Sequence, residues 1–423
     1  MHCHNRRMKS FLPLIRSEWR LLLFGFVMTF GSSLGQTYFI GLFGGDIRSD
    51  LGLSHGDFGA IYSSATLASA ILLLWTGSLI DRLQLTHYAY MVVIGLATGC
   101  LMIAASEGAA TLFLGVLVLR HLGQGLMGMT GATTMVRYID HQKGKANALN
   151  GMGYSLSEAV LPSIVIAQLT FMSWRESWIA WAVLLVVTVP LATRWLLQGH
   201  QLRHSKYLES VAAQQDQADS PLQRHWTRGQ VIRDPLFYLF LPALLAQPML
   251  FTGFMFHQVH LVEVKGWSLG VWGSLYILYA LVSSLVNLGT GLLVDHYGAI
   301  RLAPFVCLPF GLGLLFLANG DSVLVSVLFM VLMAVSIGAY STLSSPFYAE
   351  MYGSLHLGSI KSLATAAMVF SSAIAPVLMG WMIDAGVSMD TMALVSVAYV
   401  LLASVCALWA SKIKLSGEQA HAN

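Results

Sequence analysis

Apolar runs long enough to cross a membrane recur along the whole chain, with short polar breaks between them. A transmembrane helix needs about 20 consecutive, mostly apolar residues. Soluble domains carry about 25% charged residues, whereas 10% of these 423 residues are charged and 56% are hydrophobic. The chain therefore has too little charge to cover a water-exposed globule, and the apolar runs are predicted to be membrane helices.

Twelve such runs predict an all-α integral membrane protein. Their approximate bounds are 20–43, 57–80, 88–106, 110–136, 146–170, 176–197, 235–259, 268–294, 300–318, 321–346, 358–384 and 389–411. One long hydrophilic stretch divides them six and six. The predicted organisation is an N-terminal six-helix bundle over residues 1–197, a linker over 198–234 and a C-terminal six-helix bundle over 235–423.

The distribution of basic residues predicts the orientation of these helices. If the spans alternate in direction, 19 of the 23 Lys and Arg residues fall on the side of the N-terminus. Three fall on the opposite side, and Arg120 lies within a span. Because cytoplasmic loops hold the excess of Lys and Arg, both termini and the linker are expected to be cytoplasmic. We expect a multi-pass cell-membrane protein, in the inner membrane if the source is bacterial.

Several function classes are not supported by the sequence. The basic residues are dispersed along short connections, which argues against nucleic-acid binding. The four cysteines form no disulfide framework. No metalloprotease HExxH motif, Walker A loop or nucleotide-binding domain is present, so no enzymatic step, cofactor or metal is expected. The expected partners are the lipid bilayer and a small-molecule substrate with a coupling proton, and the protein is expected to be a monomer.

An internal repeat relates the two halves at an offset of 214 residues, which takes Gly77 to Gly291. The same offset aligns GLSHGDFGAIY, from Gly52, with GWSLGVWGSLY, from Gly266, without a gap. It also pairs scattered residues further along, including Pro162 with Pro376, so that one register spans over a hundred residues. The repeat predicts two pseudo-symmetric bundles with a substrate site between them.

Two loop segments resemble the loop signature of the major facilitator superfamily. They are GSLIDR, residues 77–82, and GLLVDHYG, residues 291–298. The resemblance extends to the helix count, the linker position and the repeat, so it covers essentially the whole chain. It implies a secondary transporter that works by alternating access.

The resemblance also implies a gate at the cytoplasmic end. The residues that it assigns to this gate are Gly77, Asp81, Arg82, Gly291 and Asp295. Asp81 is expected to cap the start of the eleventh span near Gly358 and Ser359. The sequence departs from the family pattern at Gln84, Leu85 and His296, which predicts a weaker gate. The alternative is that the two aspartates only end helices at the membrane interface.

Arg120 and Glu158 are the candidate substrate and proton site. A charge inside the bilayer is costly and is a functional hypothesis by default. The repeat offset places Ala334 and Ser372 at the equivalent positions, so both charges break the internal symmetry. The functional hypothesis is an arginine that receives an anion and a carboxylate that exchanges a proton, and the alternative is a structural ion pair.

Weaker candidates surround this pair. The stretch LRHLGQGLMG resembles the family's arginine-and-glycine motif, with Gln124 where a glycine is common, and Gln124 is assigned to the site. Gln36 and Tyr38 follow glycines that can bend the first span. His257, with Gln258 and His260, is placed near the outer mouth.

The predicted function is proton-coupled transport of a small organic anion such as a monocarboxylate. The segments KGKANALNGMGYSLSEAVLP and WRESW resemble the bacterial branch that includes monocarboxylate and oxalate/formate carriers. One alternative is a proton-driven exporter of drug-like or siderophore-like compounds. Another is a membrane sensor that has the transporter fold but no transport.

Overall fold

The computed structural model describes the backbone of residues 12–139, 143–201, 203–205, 226–353 and 357–422. Within these ranges, side chains are described except at residues 12, 81, 82, 143, 357–359 and 417–422. Twelve helical segments, α1–α12, coincide with the twelve predicted spans. The predicted all-α membrane architecture is confirmed.

The segments in chain order are α1 at 12–51, in the pieces Leu12–Gly31, Ser32–Gly35, Thr37–Leu42 and Gly44–Leu51; α2 His55–Thr76; α3 Leu85–Ala104; α4 Ala109–Tyr138; α5 Lys143–Gln168; α6 Trp174–Leu196; α7 Pro235–Phe256, continued by Gln258–Val264; α8 Leu269–Tyr297; α9 Ala299–Asn319; α10 Val323–Tyr352; α11 Leu357–Asp384; and α12 Met389–Ala422. A short helix, Arg228–Arg233, lies in the predicted linker.

Ten of the described helices are long and apolar enough to cross a membrane, and α1 and α5 complete the twelve. α1 already includes residues 12–19, ahead of the predicted start, because the charges at Arg16, Glu18 and Arg20 interrupt the apolar run but only kink the helix, at Glu18. α12 likewise continues beyond residue 411. Hydropathy thus located each span but not the polar turns that extend it.

The internal repeat is visible in the backbone. Gly52 ends α1 with φ +62°, and its repeat partner Gly266 ends α7 with φ +64°. This left-handed conformation favours glycine because it lacks a Cβ. Ser54 and Ser268 are the N-cap residues of the helices that follow. The same turn therefore joins α1 to α2 and α7 to α8.

We call the end of the bundle that holds these two turns the distal face. The opposite end, where residues 197–234 connect α6 to α7, is the linker face. Since successive spans alternate in direction, the turns after the even-numbered spans α2, α4, α8 and α10 also lie at the linker face.

Glycines let the two halves approach closely on the distal side. A Cβ on Gly59 of α2 would lie 2.5 Å from the Pro376 carbonyl oxygen of α11. Gly273 of α8, the repeat partner of Gly59, would place a Cβ 2.6 Å from Ile166 of α5. Small residues at helix crossings permit such close backbone packing in membranes. The repeat therefore produces two equivalent crossings, α2 with α11 and α8 with α5.

Candidate functional site

The first helix is broken near the middle of the membrane. Ser32–Gly35 forms a 3₁₀ turn, Gln36 is extended with φ −84° and ψ 153°, and the helix restarts at Thr37. The repeat equivalent of Gln36 is Leu250, which lies within the continuous part of α7. This break therefore belongs to the first half alone. Main-chain groups that leave the regular hydrogen-bond pattern here need other partners.

Arg120 of α4 supplies one of those partners. Its Nη1 donates to the Gly35 carbonyl oxygen at 2.9 Å, and its Nε donates to Thr66 Oγ1 of α2 at 3.1 Å. The guanidinium carbon lies 5.0 Å from the centre of the Tyr62 ring, within cation–π range. The side chain is 3% exposed. Arg120 thus joins α4 to the broken part of α1 and to α2.

The helix around Arg120 is itself deformed. Arg120–Met127 is a π-helical segment within α4, and such segments frequently lie at functional sites. It packs directly on the 3₁₀ turn of α1. A Cβ on Gly35 would lie 2.3 Å from the Leu119 carbonyl oxygen, and one on Gly123 would lie 2.9 Å from the Gly35 Cα. The glycines of the fourth span therefore serve close helix packing.

Glu158 lies on α5 at a similar depth to Arg120. Each is ten or eleven residues from the distal end of its helix, which is about 15 Å at 1.5 Å per residue. Its electrostatic neighbours are four tyrosines from both halves of the chain. They are Tyr38 of α1, Tyr154 of α5, and Tyr276 and Tyr279 of α8. We call this group of four residues the tyrosine cluster.

Arg120 and Glu158 do not form an ion pair. Among the residues that the structure describes, Glu158 has no ion-pair or hydrogen-bond partner, and Arg120 has no carboxylate partner. The alternative of a structural pair locking α4 to α5 is therefore wrong. The sequence placed the two residues at the same depth, but it does not determine which helix face each side chain occupies.

Hydroxyl groups connect the broken helix to its neighbours. Ser33 and Ser157 share a hydrogen bond of 2.5 Å between α1 and α5, and Thr37 and Tyr62 share one of 2.6 Å between α1 and α2. The buried Tyr38 hydroxyl is close to the serine pair but makes no hydrogen bond within the described part of the chain. Sequence analysis missed the serines, although the SLGQT segment from Ser33 and the SLSE segment with Ser157 mark them as polar interruptions of apolar spans.

The remaining candidates occupy different environments. Gln36 is half-buried at the break in α1, whereas Gln124 is exposed on the π-helical segment. His257 is 4% exposed and lies at a break in α7, where its Nε2 donates to the Pro376 carbonyl oxygen at 2.8 Å. His257 therefore belongs to the packing of α7 on α11 near the distal face.

A buried glutamine, which the sequence analysis named only beside His257, connects the two halves through hydrogen bonds. Gln258 of α7 donates through Nε2 to the Tyr38 carbonyl oxygen of α1 at 2.8 Å. Its Oε1 accepts hydrogen bonds from Tyr276 Oη at 2.7 Å and Trp272 Nε1 at 2.9 Å. Gln258 thus binds the hydroxyl of one member of the tyrosine cluster and the backbone carbonyl of another.

Three histidines, His55, His257 and His260, meet charged side chains at the distal face, and we call them the histidine cluster. The ring of His55, in α2, lies 4.5 Å from that of His260 and 5.8 Å from that of His257. Arg48 lines the same small cavity. Asp384, at the end of α11, accepts hydrogen bonds from the main-chain nitrogens of His55 at 3.0 Å and of the next residue at 2.7 Å. These contacts join the two halves on the distal side.

The predicted gate lies at the linker face. The side chains of Asp81 and Arg82, and those of Gly358 and Ser359 at the start of α11, are outside the described residues. Gly77 ends α2 as its C-cap residue, a Cβ on Gly291 would lie 3.9 Å from Thr342 of α10, and Asp295 is exposed. The gating assignment stays a prediction.

Two side chains that the sequence analysis did not select bind the loops of this gate. Glu350 of α10 accepts from the main-chain nitrogen of Ala299 at 2.6 Å, just after α8. Arg137 of α4 donates to the Ile80 carbonyl oxygen at 3.1 Å, just after α2. Their near-equivalent places in the repeat, at the linker ends of α10 and α4, are the signal that was available.

A sequence profile described as the Major Facilitator Superfamily matches residues 25–376. No curated protein sequence matches the chain. A solved structure of a mutant of the nucleoside transporter NupG superposes with a TM-score of 0.69 at 15% identity, covering 93% of this chain and 99% of that one.

A bacterial homologue of the human lysosomal transporter Spinster, in an inward-facing and unoccupied conformation, gives a TM-score of 0.64 at 12% identity. The superposition covers 94% of this chain and 98% of the homologue. At these identities the likeness establishes the fold and carries no information on the solute.

Proposed function

This chain belongs to the Major Facilitator Superfamily and is a multi-pass membrane transporter, and we propose that it moves a small organic anion, such as a monocarboxylate, together with a proton. Transport follows alternating access, in which the two halves rock about a central site. Glu158 carries the proton in this proposal, and Arg120 attracts the anion.

The observation that carries the proposal is the isolation of Glu158. A carboxylate without a partner at this depth is costly when charged, so it favours the protonated form. The tyrosine cluster around Glu158 has members from α1, α5 and α8, and hence from both halves. When the halves move, the surroundings of the carboxyl group change, and its affinity for a proton changes with them.

The unpaired charge of Arg120 supports an anionic solute. Two of the five guanidinium N–H donors are used by Gly35 and Thr66. No acid neutralises the side chain among the described residues. A solute carboxylate supplies the missing negative charge and can accept from the remaining donors in the planar geometry that arginine offers.

We propose that the linker face is cytoplasmic and that this conformation is inward-facing. The basic residues favour this orientation. The contacts described above between the halves, such as Gly59 on Pro376 and Gln258 on Tyr38, lie on the distal side of the site. A solute would then reach the tyrosine cluster from the linker face.

Reconstituted protein tests the proposal. Proteoliposomes with an imposed pH gradient are supplied with a panel of labelled monocarboxylates, and accumulation of one of them is expected to require the gradient. Glu158→Gln is expected to abolish gradient-driven accumulation but to retain exchange, because the amide resembles the protonated acid. Arg120→Lys is expected to weaken substrate binding by tenfold or more, since a point charge replaces a planar fork.

Matched controls are available on the same fold. Glu107→Gln removes an exposed acid of the α3–α4 connection, and Arg194→Lys changes an exposed arginine of α6. Both are expected to transport normally. Transport that ignores the pH gradient, or that survives Glu158→Gln unchanged, contradicts the proton role. The absence of flux for every solute, with specific binding retained, favours a sensor.

A further inference from the structure

A polar cavity of about 130 Å³ opens between the linker-face ends of α1 and α6. This volume has room for several water molecules or for one phosphate group. The side chains that give it its chemistry are Glu18, Trp19, Arg20, Gln198, His200 and Arg203. The cavity lies at the opposite face from the histidine cluster and takes no part in the transport site.

The backbone opens this cavity at a kink. Glu18 has φ −121° and ψ 16°, which is outside the helical range, so α1 bends where it reaches the linker face. Glu18 is ion-paired with Arg203 from the chain beyond α6. Arg20 forms no ion pair among the described residues. The lining therefore carries one more positive than negative charge.

His200 is the second observation that points to a ligand. The side chain is 8% exposed, it lines the cavity, and neither ring nitrogen has a hydrogen-bond partner within the described residues. Burial, with His204 and Arg203 nearby, lowers the pKa of His200 to about 4. The ring is therefore neutral at pH 7 and keeps one N–H donor without an acceptor, a state that costs free energy in a buried site.

Tryptophans place the cavity at the level of the lipid headgroups. Trp19 and Trp195 meet edge to face with ring centres 5.3 Å apart, and both are exposed, at 39% and 50%. The Arg20 guanidinium carbon lies 5.5 Å from the centre of the Trp19 ring. Exposed tryptophans are enriched where a membrane helix enters the headgroup region. A ligand in the cavity can thus be a lipid whose chains lie beside these rings.

We propose that this cavity binds the phosphate group of an anionic phospholipid, held by Arg20, Arg203 and the N–H of His200. A phosphodiester carries one negative charge, which matches the excess positive charge of the lining. Basic pockets between membrane helices recognise such headgroups. The same donors would also bind a free phosphate, so the experiment tests both the phospholipid and the free anion.

The test uses the full-length protein in neutral detergent and measures lipid retention by native mass spectrometry, with thermal stability as a second readout. Phosphatidylglycerol is expected to bind at one retained site, and phosphatidylcholine is not. Arg20→Gln is expected to weaken phosphatidylglycerol binding about fivefold, the effect of one basic residue near an anionic headgroup. Glu18→Gln is expected to strengthen it by a similar factor, because it removes the competing acid.

Arg16→Gln is the matched control, since Arg16 is exposed on the same helix but does not line the cavity. Equal loss in Arg16→Gln and Arg20→Gln would overturn the proposal in favour of nonspecific surface attraction. Stabilisation by inorganic phosphate or glycerol phosphate equal to that by phosphatidylglycerol would assign the cavity to a soluble anion instead. Size-exclusion profiles verify that each variant is folded.

Discussion

The side-chain amide of Gln258 donates a 2.8 Å hydrogen bond to the main-chain carbonyl of Tyr38, across the interface between the two halves of the transporter. The same side chain accepts from Tyr276 and Trp272, and it is fully buried. A buried polar group with its partners satisfied holds a defined arrangement, whereas losing one leaves the others unpaired. Gln258 therefore stabilises the conformation that is closed at the distal face.

Gln258→Leu is expected to open the distal face. The substitution removes the bond to Tyr38, leaves the buried Trp272 N–H without an acceptor and leaves the Tyr276 hydroxyl with only the Met255 sulfur at 3.4 Å. This loss costs about 1–3 kcal/mol in this conformation. A change of 1.4 kcal/mol shifts a two-state equilibrium tenfold. Double electron–electron resonance between spin labels at Glu107 and Val271 is expected to report longer distances. Gln201→Leu, at an exposed amide beyond α6, is the control, and equal distances in the two variants would contradict the role of Gln258.

The break in α1 depends on the absence of a side chain at Gly35. A Cβ there would lie 2.3 Å from the Leu119 carbonyl oxygen and 2.7 Å from the Gln124 nitrogen, and neither backbone atom can move freely. Gly35→Ala is expected to lower stability by about 3 kcal/mol, as overpacking does. Thermal unfolding in detergent measures it. Gly151→Ala, where the added Cβ has no neighbour within 4 Å, is expected to be neutral or slightly stabilising, since alanine favours a helix.

The sequence predicted the spans well because membrane thickness fixes the length of an apolar helix. It also placed Gln36 and Tyr38 among glycines that can bend α1, and the helix breaks there. It did not predict that Arg120 and Glu158 stay apart, because hydropathy gives depth and not the direction of a side chain. The repeat paired Tyr276 with Tyr62 but did not indicate a role in the site, and Tyr279 gave no signal, since an aromatic residue in an apolar run also suits contact with lipid.

Lys265 connects three segments of the second half at the distal face. Its Nζ lies 2.7 Å from Oδ1 of Asp321, before α10, and 2.7 Å from Oδ1 of Asp390, in α12. Burial lowers the pKa of Lys265, but the two carboxylates raise it more, so the net shift is upward. Because the pKa is higher in the folded state, the interaction contributes its full stability below about pH 10, the pKa of lysine in the unfolded chain. That stability is lost as the pH rises through the folded value.

Lys265→Met is expected to reduce stability by about 2 kcal/mol at pH 8, the value for hydrogen bonds to charged groups. The difference from the wild-type protein should shrink above pH 10.5 as the wild-type lysine loses its proton. Thermal unfolding across this pH range provides the measurement, with Lys412→Met as an exposed control. A constant difference at every pH would show that the side chain acts by packing and not by charge.

The histidine cluster gives the distal closure a dependence on acid. His55 belongs to the first half, whereas His257 and His260 belong to the second, and the rings lie 4.5–5.8 Å apart. Arg48 adds a positive charge from α1, and the facing acids are Glu263 of α7 and Asp384 of α11. While the rings are neutral, the halves meet without charge repulsion.

Acidic buffer is therefore expected to weaken the distal closure, because protonated rings on opposite halves repel one another and repel Arg48. Two like charges at about 5 Å with an effective dielectric constant of about 20 cost roughly 3 kcal/mol. The two acids offset part of this cost, so we expect a shift of about tenfold toward the distal-open state between pH 7.5 and pH 5. The same pair of spin labels, at Glu107 and Val271, measures the distance distribution. A variant with His55, His257 and His260 all replaced by Gln should not respond to pH. If this variant opens in acid as the wild-type protein does, another titrating group controls the closure, and Asp384→Asn then tests whether that group is the carboxylate that caps α2.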